Sequence, residues 1–89
     1  MNMPATEMPR YQSHKTVHAL KIKALQPHPE HPSEYLLTPE DTTYCPFMVS
    51  QDYVHNRGAK EGGYYVVYQD GYESWSPADA FESGYTLIK

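Results

Sequence analysis

His28 and His31, with Glu30 between them, are the residues whose types and spacing come closest to a metal site. Imidazole and carboxylate ligands suit zinc, and a local spacing of three residues can serve such a site. A zinc site needs three or four protein ligands, however, and no pattern ties the other histidines to this proline-rich segment. We therefore expect a solvated loop here and no metal.

Two further residues could take part in catalysis, but neither has a partner in a recognisable motif. Cys45 lies between Tyr44 and Pro46 with no neighbouring base or cation that would activate its thiol, so we expect a small packed residue. His18 falls on the apolar face of a predicted strand, where a hydrogen-bonded core histidine is expected. The sequence contains no nucleophile elbow, zinc-binding helix motif or glycine-rich phosphate loop. We therefore expect no enzyme and no cofactor.

The aromatic residues give the clearest indication of binding, since nine of the 89 residues are tyrosine. Along residues 64–68, Tyr64, Val66 and Tyr68 share one strand face while Tyr65 and Val67 share the other. Only one face is expected to join a single small core. The other face is then a ligand pocket wall, a subunit interface or a covered second sheet face.

Cations close to these aromatic residues define the predicted binding site. Arg57 and Lys60 could neutralise phosphate while a nucleobase stacks on an aromatic side chain. The predicted ligand-binding residues are Arg57, Lys60, Tyr65, Tyr53 and Trp75. Aromatic packing in a small β core and at an interface is the alternative explanation of the same residues.

The first half of the chain is predicted to be extended. Residues 14–25 alternate as a strand, with Thr16, Leu20 and Ile22 among those on one face, although Ala, Leu and Lys also allow a helix. Residues 26–33 contain three prolines and are predicted to form a loop. The apolar runs at residues 35–38 and 44–49 are predicted to be short or edge strands because Pro39 ends one and Pro46 interrupts the other.

The second half carries stronger local signals. Ser50 and Gly58 should cap a short helix. Residues 64–68 and 72–75, joined through Asp70-Gly71, indicate a β-hairpin. Ser76 should cap a second helix that begins at Pro77 and ends at Gly84, before a last strand at residues 85–88.

The fold class that these elements predict is α+β. We expect a flexible N-terminus over residues 1–12 and one domain over residues 13–89. That domain should hold a small antiparallel β-sheet with a C-terminal hairpin, helix and strand, and one additional short helix.

Composition limits the partners and the compartment. Seven Lys and Arg against eleven Asp and Glu give a net charge of −4, which argues against binding to a nucleic acid polymer. One cysteine cannot form an intramolecular disulfide, and no segment has the apolar character of a signal peptide or a membrane span. We therefore expect a cytoplasmic protein that does not bind membranes.

Residues 62–88, GGYYVVYQDGYESWSPADAFESGYTLI, resemble a motif of small phage and prophage proteins, in particular the anti-Thoeris sponges. The matching positions are Gly63, Tyr64, Val66, Tyr68, Asp70, Gly71, Tyr72, Ser74, Trp75, Ser76, Pro77, Phe81, Glu82 and Tyr85. The resemblance implies a phage anti-defence protein in the cytoplasm of the infected bacterial host. Such a protein sequesters a cyclic nucleotide signal, either a cyclic ADP-ribose isomer or a cyclic oligonucleotide, without cleaving it.

Under this interpretation the partner is a small nucleotide, and a two-fold interface between copies of the chain completes the pocket. A homo-oligomer is also expected because a domain of this size buries little surface by itself. The alternative function is a phage inhibitor that binds a host defence protein through an aromatic, acidic surface.

Overall fold

Nine elements make up the part of the chain that the computed structural model describes, residues 8–12 and 16–88. They are β1 (Arg10–Gln12), β2 (Thr16–His28), β3 (His31–Pro39), β4 (Phe47–Ser50), α1 (Gln51–Arg57), β5 (Tyr64–Val67), β6 (Glu73–Ser76), α2 (Ala78–Gly84) and β7 (Thr86–Leu87). Every strand pairing is antiparallel. The predicted α+β class with a small antiparallel sheet is therefore confirmed, and strands dominate it.

The long strand β2 is the centre of the sheet. His18 pairs with Arg10 of β1 on one side and with Val67 of β5 on the other. From Ile22 onwards β2 pairs with β3. Strand β4 extends the sheet beyond β3, β6 extends it beyond β5, and β7 extends it beyond β1.

Strands β2–β6 and α1 follow one another in a simple order. Three consecutive antiparallel strands are followed by a helix, and the hairpin β5–β6 then returns to the first of them. Within this arrangement α1 carries Arg57 and the β5–β6 loop carries Tyr72, and the two side chains are in contact. An architecture of this kind supports many functions, so the function has to be argued from the site.

The prediction of a loop over residues 26–33 is wrong, because β2 continues to His28 and β3 begins at His31. Pro27 is paired with Tyr35 inside the ladder. Pro27 is tolerated because β2 pairs with β3 alone beyond residue 22, so a missing N–H on the open side removes no ladder hydrogen bond. The predicted strand that precedes this segment is confirmed over its described residues, 16–25.

The sheet is covered on both faces, which is one of the three alternatives predicted for its second face. Tyr65 and Val67 join the larger core with Leu20 and Ile22. The opposite face has its own cluster, which consists of Val17, Ala19, Tyr64, Val66 and Phe81. Phe81 of α2 is 1% exposed, so this helix closes the second face. The covered second sheet face is thus the alternative that the structure adopts.

Helix α1 begins and ends where its capping residues predict. The Ser50 side chain accepts a hydrogen bond from the Tyr53 N–H at 3.0 Å. Gly58 ends the helix in the left-handed region, with φ of 63°. In α2 the predicted cap is wrong: Pro77 occupies the cap position without a side-chain hydrogen bond, and Ser76 belongs to β6.

Two predictions for loops and termini differ from the structure. The terminus predicted as flexible includes β1, and Met8 is buried in the larger core, while residues 1–7 lie outside the described residues. Cys45 is exposed and not packed, because it lies in the connection between β3 and β4. Among residues 8–12 and 16–88, no helix has the length and apolar character that crossing a membrane would require.

Candidate functional site

Helix α1 fixes the position of Arg57, its last residue. Tyr53 and Val54 are buried and anchor the helix on the core. The N–H of Ala59 donates to the carbonyl of Val54 at 3.0 Å, which holds the chain as it leaves the helix. The side chain of Arg57 is exposed at this end of the helix and extends towards the β5–β6 loop.

The β5–β6 loop presents Tyr72. The N–H of Tyr68 donates to the carbonyl of Tyr72 at 3.0 Å, and the N–H of Gly71 donates to the carbonyl of Tyr68 at 2.9 Å. Asp70 Oδ1 accepts from the N–H of Tyr72 at 3.0 Å. Gly71 has φ of 89°, a conformation that favours glycine. These contacts hold Tyr72, which is 48% exposed, at the surface.

Arg57 and Tyr72 are in direct contact. The guanidinium carbon of Arg57 lies 4.7 Å from the centroid of the Tyr72 ring, a cation–π arrangement. Arg57 Nε donates to the backbone carbonyl of Glu73 at 3.2 Å. The Tyr72 ring also stacks with Tyr68, with centroids 5.9 Å apart. The guanidinium is therefore held in a defined orientation.

An open pocket of about 350 Å³ lies between α1 and this loop. Its lining residues are Ser50, Asp52, Tyr53, Asn56, Arg57, Gly71, Tyr72 and Glu73. This volume lies near the lower end of the roughly 300–1,000 Å³ that ligand pockets occupy.

Tyr53 and Glu73, which line the pocket, already form hydrogen bonds within the protein. The hydroxyl of Tyr53 donates to the carbonyl of Ser74 at 2.7 Å, and the hydroxyl of Tyr65 donates to Glu73 Oε2. Burial raises the pKa of both tyrosines, and the Glu73 carboxylate contributes to both shifts. These hydroxyl groups therefore stay protonated at neutral pH and position Glu73 and Ser74.

Arg57 has no carboxylate partner within the described part of the chain. The single salt bridge there joins Lys21 to Glu82, at 3.5 Å. Asp52 and Glu73 line the same pocket as Arg57 but lie beyond salt-bridge distance of it. The terminal guanidinium nitrogens are thus available to a group from outside the chain.

The structure brings together only some of the predicted ligand-binding residues. Arg57 and Tyr53 line the pocket, although the Tyr53 ring is buried and hydrogen bonded. Tyr65 is buried between Phe47 and Tyr53, with ring centroids 5.1 and 5.5 Å away, so it offers no face to a nucleobase.

The other two predicted residues contact each other outside the pocket. Trp75 Nε1 donates to the backbone carbonyl of Lys60 at 3.2 Å, and the Lys60 side chain is exposed. Tyr72 was not among the predicted site residues. Its position directly after Asp70-Gly71 could have identified it, because a side chain that follows a tight turn is often solvent exposed.

No group of three or more His, Cys, Asp or Glu side chains that could hold a metal ion occurs among the residues that the structure describes. His28 and His31 face each other across the β2–β3 turn, with ring centroids 4.7 Å apart. His28 Nδ1 accepts a hydrogen bond from the N–H of Glu30 at 3.1 Å, so that nitrogen is occupied within the turn.

Comparison with solved structures gives a match to a phage protein. The chain is similar to the monomeric form of the phage L decoration protein, determined by NMR in solution, with 26% sequence identity and a TM-score of 0.66. The match covers 90% of this chain and 59% of that one. No family model matches the sequence. The search of curated proteins also gave no match.

This match contradicts the predicted sequestration of a cyclic nucleotide, because the similar protein is a decoration protein. The geometry agrees with the correction, since the Tyr65 ring that was expected to stack on a base is buried. The alternative prediction, an inhibitor of a host defence protein, gains no support either. The resemblance of residues 62–88 to the sponge family is neither supported nor refuted by the match.

Proposed function

We propose that this chain is a structural phage protein that attaches to the outer surface of a capsid. The observation that carries this proposal is the similarity to the phage L decoration protein, which extends over 90% of the chain at 26% identity. This chain spans 59% of that protein's length, so the proposal concerns attachment and not every property of the longer protein.

The pocket and its surroundings are suited to protein binding. Tyr72 and Arg57 are exposed, adjacent and held in place by backbone hydrogen bonds. Tyr and Arg are the residue types that, with Trp, most often supply binding energy at protein interfaces. The role requires no catalysis, and we propose that the chain is not an enzyme.

A pelleting assay tests attachment. Heads are prepared from the phage that encodes this chain after deletion of its gene, mixed with the purified chain and sedimented through a sucrose cushion. We expect the chain to pellet with the heads and to saturate at a fixed number of copies per particle. The chain without heads, and the chain with the packaged DNA alone, serve as controls.

A chain that stays in the supernatant at every concentration of heads would contradict attachment. Pelleting with free DNA as readily as with heads would contradict it too, because the binding would then be to nucleic acid. The net charge of −4 predicts that free DNA is not bound.

A further inference from the structure

Among the described residues, the guanidinium of Arg57 has two contacts that fix its orientation and none that satisfies its terminal nitrogens. Nε is hydrogen bonded to the Glu73 carbonyl, and the guanidinium carbon lies over the Tyr72 ring. The outward edge, formed by the two terminal nitrogens, has no partner among the described residues. This edge presents parallel N–H donors in the geometry that a carboxylate accepts.

We propose that the pocket between α1 and the β5–β6 loop binds a carboxylate side chain, Asp or Glu, of the capsid protein. The inference rests on the proposed attachment to a capsid and adds the chemistry of the contact. Arg57 supplies the paired donors, and Tyr72 supplies an exposed aromatic surface for the aliphatic part of the incoming side chain.

The charges that line the pocket disfavour a doubly charged anion. Asp52 and Glu73 line the pocket beside Arg57, so its formal charge is negative before a ligand enters. An incoming carboxylate is attracted by Arg57 at hydrogen-bond distance and repelled by the more distant Asp52 and Glu73, and this repulsion is doubled for a phosphate dianion. This distinguishes the proposed partner from a nucleotide or a phosphorylated group.

The closed side of the guanidinium supports the same assignment. Because the Tyr72 ring lies against the guanidinium and the Glu73 carbonyl occupies Nε, the two terminal nitrogens are the donors left for a ligand. A planar carboxylate fits these two donors and forms two parallel hydrogen bonds. An ammonium group in place of the guanidinium could not present both donors in one plane.

Variants in the pelleting assay test the contact. We expect Arg57→Ala to weaken binding to heads on the order of ten- to a hundredfold, since it removes a charge-assisted, paired hydrogen bond. Arg57→Lys should recover only part of this loss. Lys23→Ala is the matched control, because Lys23 is an exposed cation of β2 outside the pocket, and it should bind like the wild type.

The outcomes separate the two proposals. If the wild type does not pellet, attachment itself is wrong. If the wild type pellets and Arg57→Ala pellets with the same affinity, attachment stands and the carboxylate contact is wrong. A urea denaturation curve of each variant excludes unfolding as the cause of lost binding, and Tyr72→Ala should weaken binding in the same direction as Arg57→Ala.

A direct titration tests the pocket without capsids. We expect sodium acetate to shift the Arg57 Nε–H signal and the Tyr72 amide signal in ¹⁵N-edited NMR spectra, in a saturable manner that sodium chloride at equal ionic strength does not reproduce. Arg57→Ala should abolish the Tyr72 shift. Absence of these shifts in the wild type, or tighter binding of inorganic phosphate than of acetate at pH 7.5, would overturn the assignment.

Discussion

The contact between Gly63 and the Trp75 ring predicts the cost of adding one methyl group. A Cβ atom at Gly63 would lie 2.4 Å from Cε2 and Cζ2 of Trp75 and 2.5 Å from Nε1. Trp75 Nε1 is bonded to the Lys60 carbonyl, and the Trp75 backbone is paired with Tyr65 in the β5–β6 ladder. The ring therefore cannot retreat without losing its hydrogen bond.

The magnitude follows from these contacts. Overpacking of this kind costs about 1–3 kcal/mol, and losing a neutral hydrogen bond costs about 1 kcal/mol more. The reduced freedom of the unfolded chain offsets about 0.4–1 kcal/mol. We expect Gly63→Ala to lower the free energy of unfolding by about 1–3 kcal/mol, and each 1 kcal/mol should lower Tm by roughly 4–8 °C in a domain of this size.

Urea denaturation measures this change, with the fluorescence of Trp75, the sole tryptophan, and far-UV circular dichroism as independent probes. Gly84→Ala is the matched control, because a Cβ at Gly84 meets nothing within 4 Å and the residue ends α2. It should leave stability unchanged or raise it slightly. Equal stability of the two variants would refute the reasoning from the Gly63 contact.

Two further predictions concern stability. Phe81→Ala should cost about 3–5 kcal/mol, since this buried ring stacks on Tyr64 at 4.2 Å and on Tyr85 at 4.6 Å, and a variant that unfolds at the same urea concentration as the wild type would contradict this. Burial, and to a lesser extent Arg10, lowers the pKa of His18 in the folded state, so the unfolded chain takes up a proton first as pH falls through 6.5. Stability contributed by neutral His18 is thus present above pH 6.5 and lost below it. The difference between the urea midpoints at pH 5 and pH 8 should therefore be smaller in His18→Gln than in the wild type. An unchanged difference would contradict a lowered pKa of His18 in the folded state.

Local signals in the sequence predict local structure well in this protein. Ser50 and Gly58 bound α1 because each satisfies a helix terminus with its own side chain or its own backbone conformation. In contrast, the prolines of residues 26–33 exclude a strand only where that strand has a hydrogen-bonded partner on both sides. That β2 has one partner there is a property of the whole sheet, which local reasoning does not contain.

For a similar reason, the sequence left the covered second sheet face as only one of three alternatives. The alternation along residues 64–68 shows that both faces are apolar, but not that α2 returns to cover the second with Phe81. Of the site, Arg57 was predicted and Tyr72 was not, although its position directly after Asp70-Gly71 could have identified it as exposed. The pairing of these two residues requires the three-dimensional contact between α1 and the hairpin.

The functional prediction was wrong because of what the motif in residues 62–88 encodes. Gly63 and Trp75 form a close contact, Gly71 adopts a turn conformation, and Phe81 fills the second core. These positions specify how the hairpin and α2 pack. They carry no information about a ligand, so a resemblance through them extends to the fold and not to the partner.

Electron cryomicroscopy tests attachment to a capsid most directly. Heads from the phage with the gene deleted are imaged with and without the added chain. We predict additional density on the outer surface at symmetry-equivalent positions, of a size and shape that accommodates this chain. Reconstructions that are identical with and without the chain, at concentrations that saturate the pelleting assay, would contradict the proposed function.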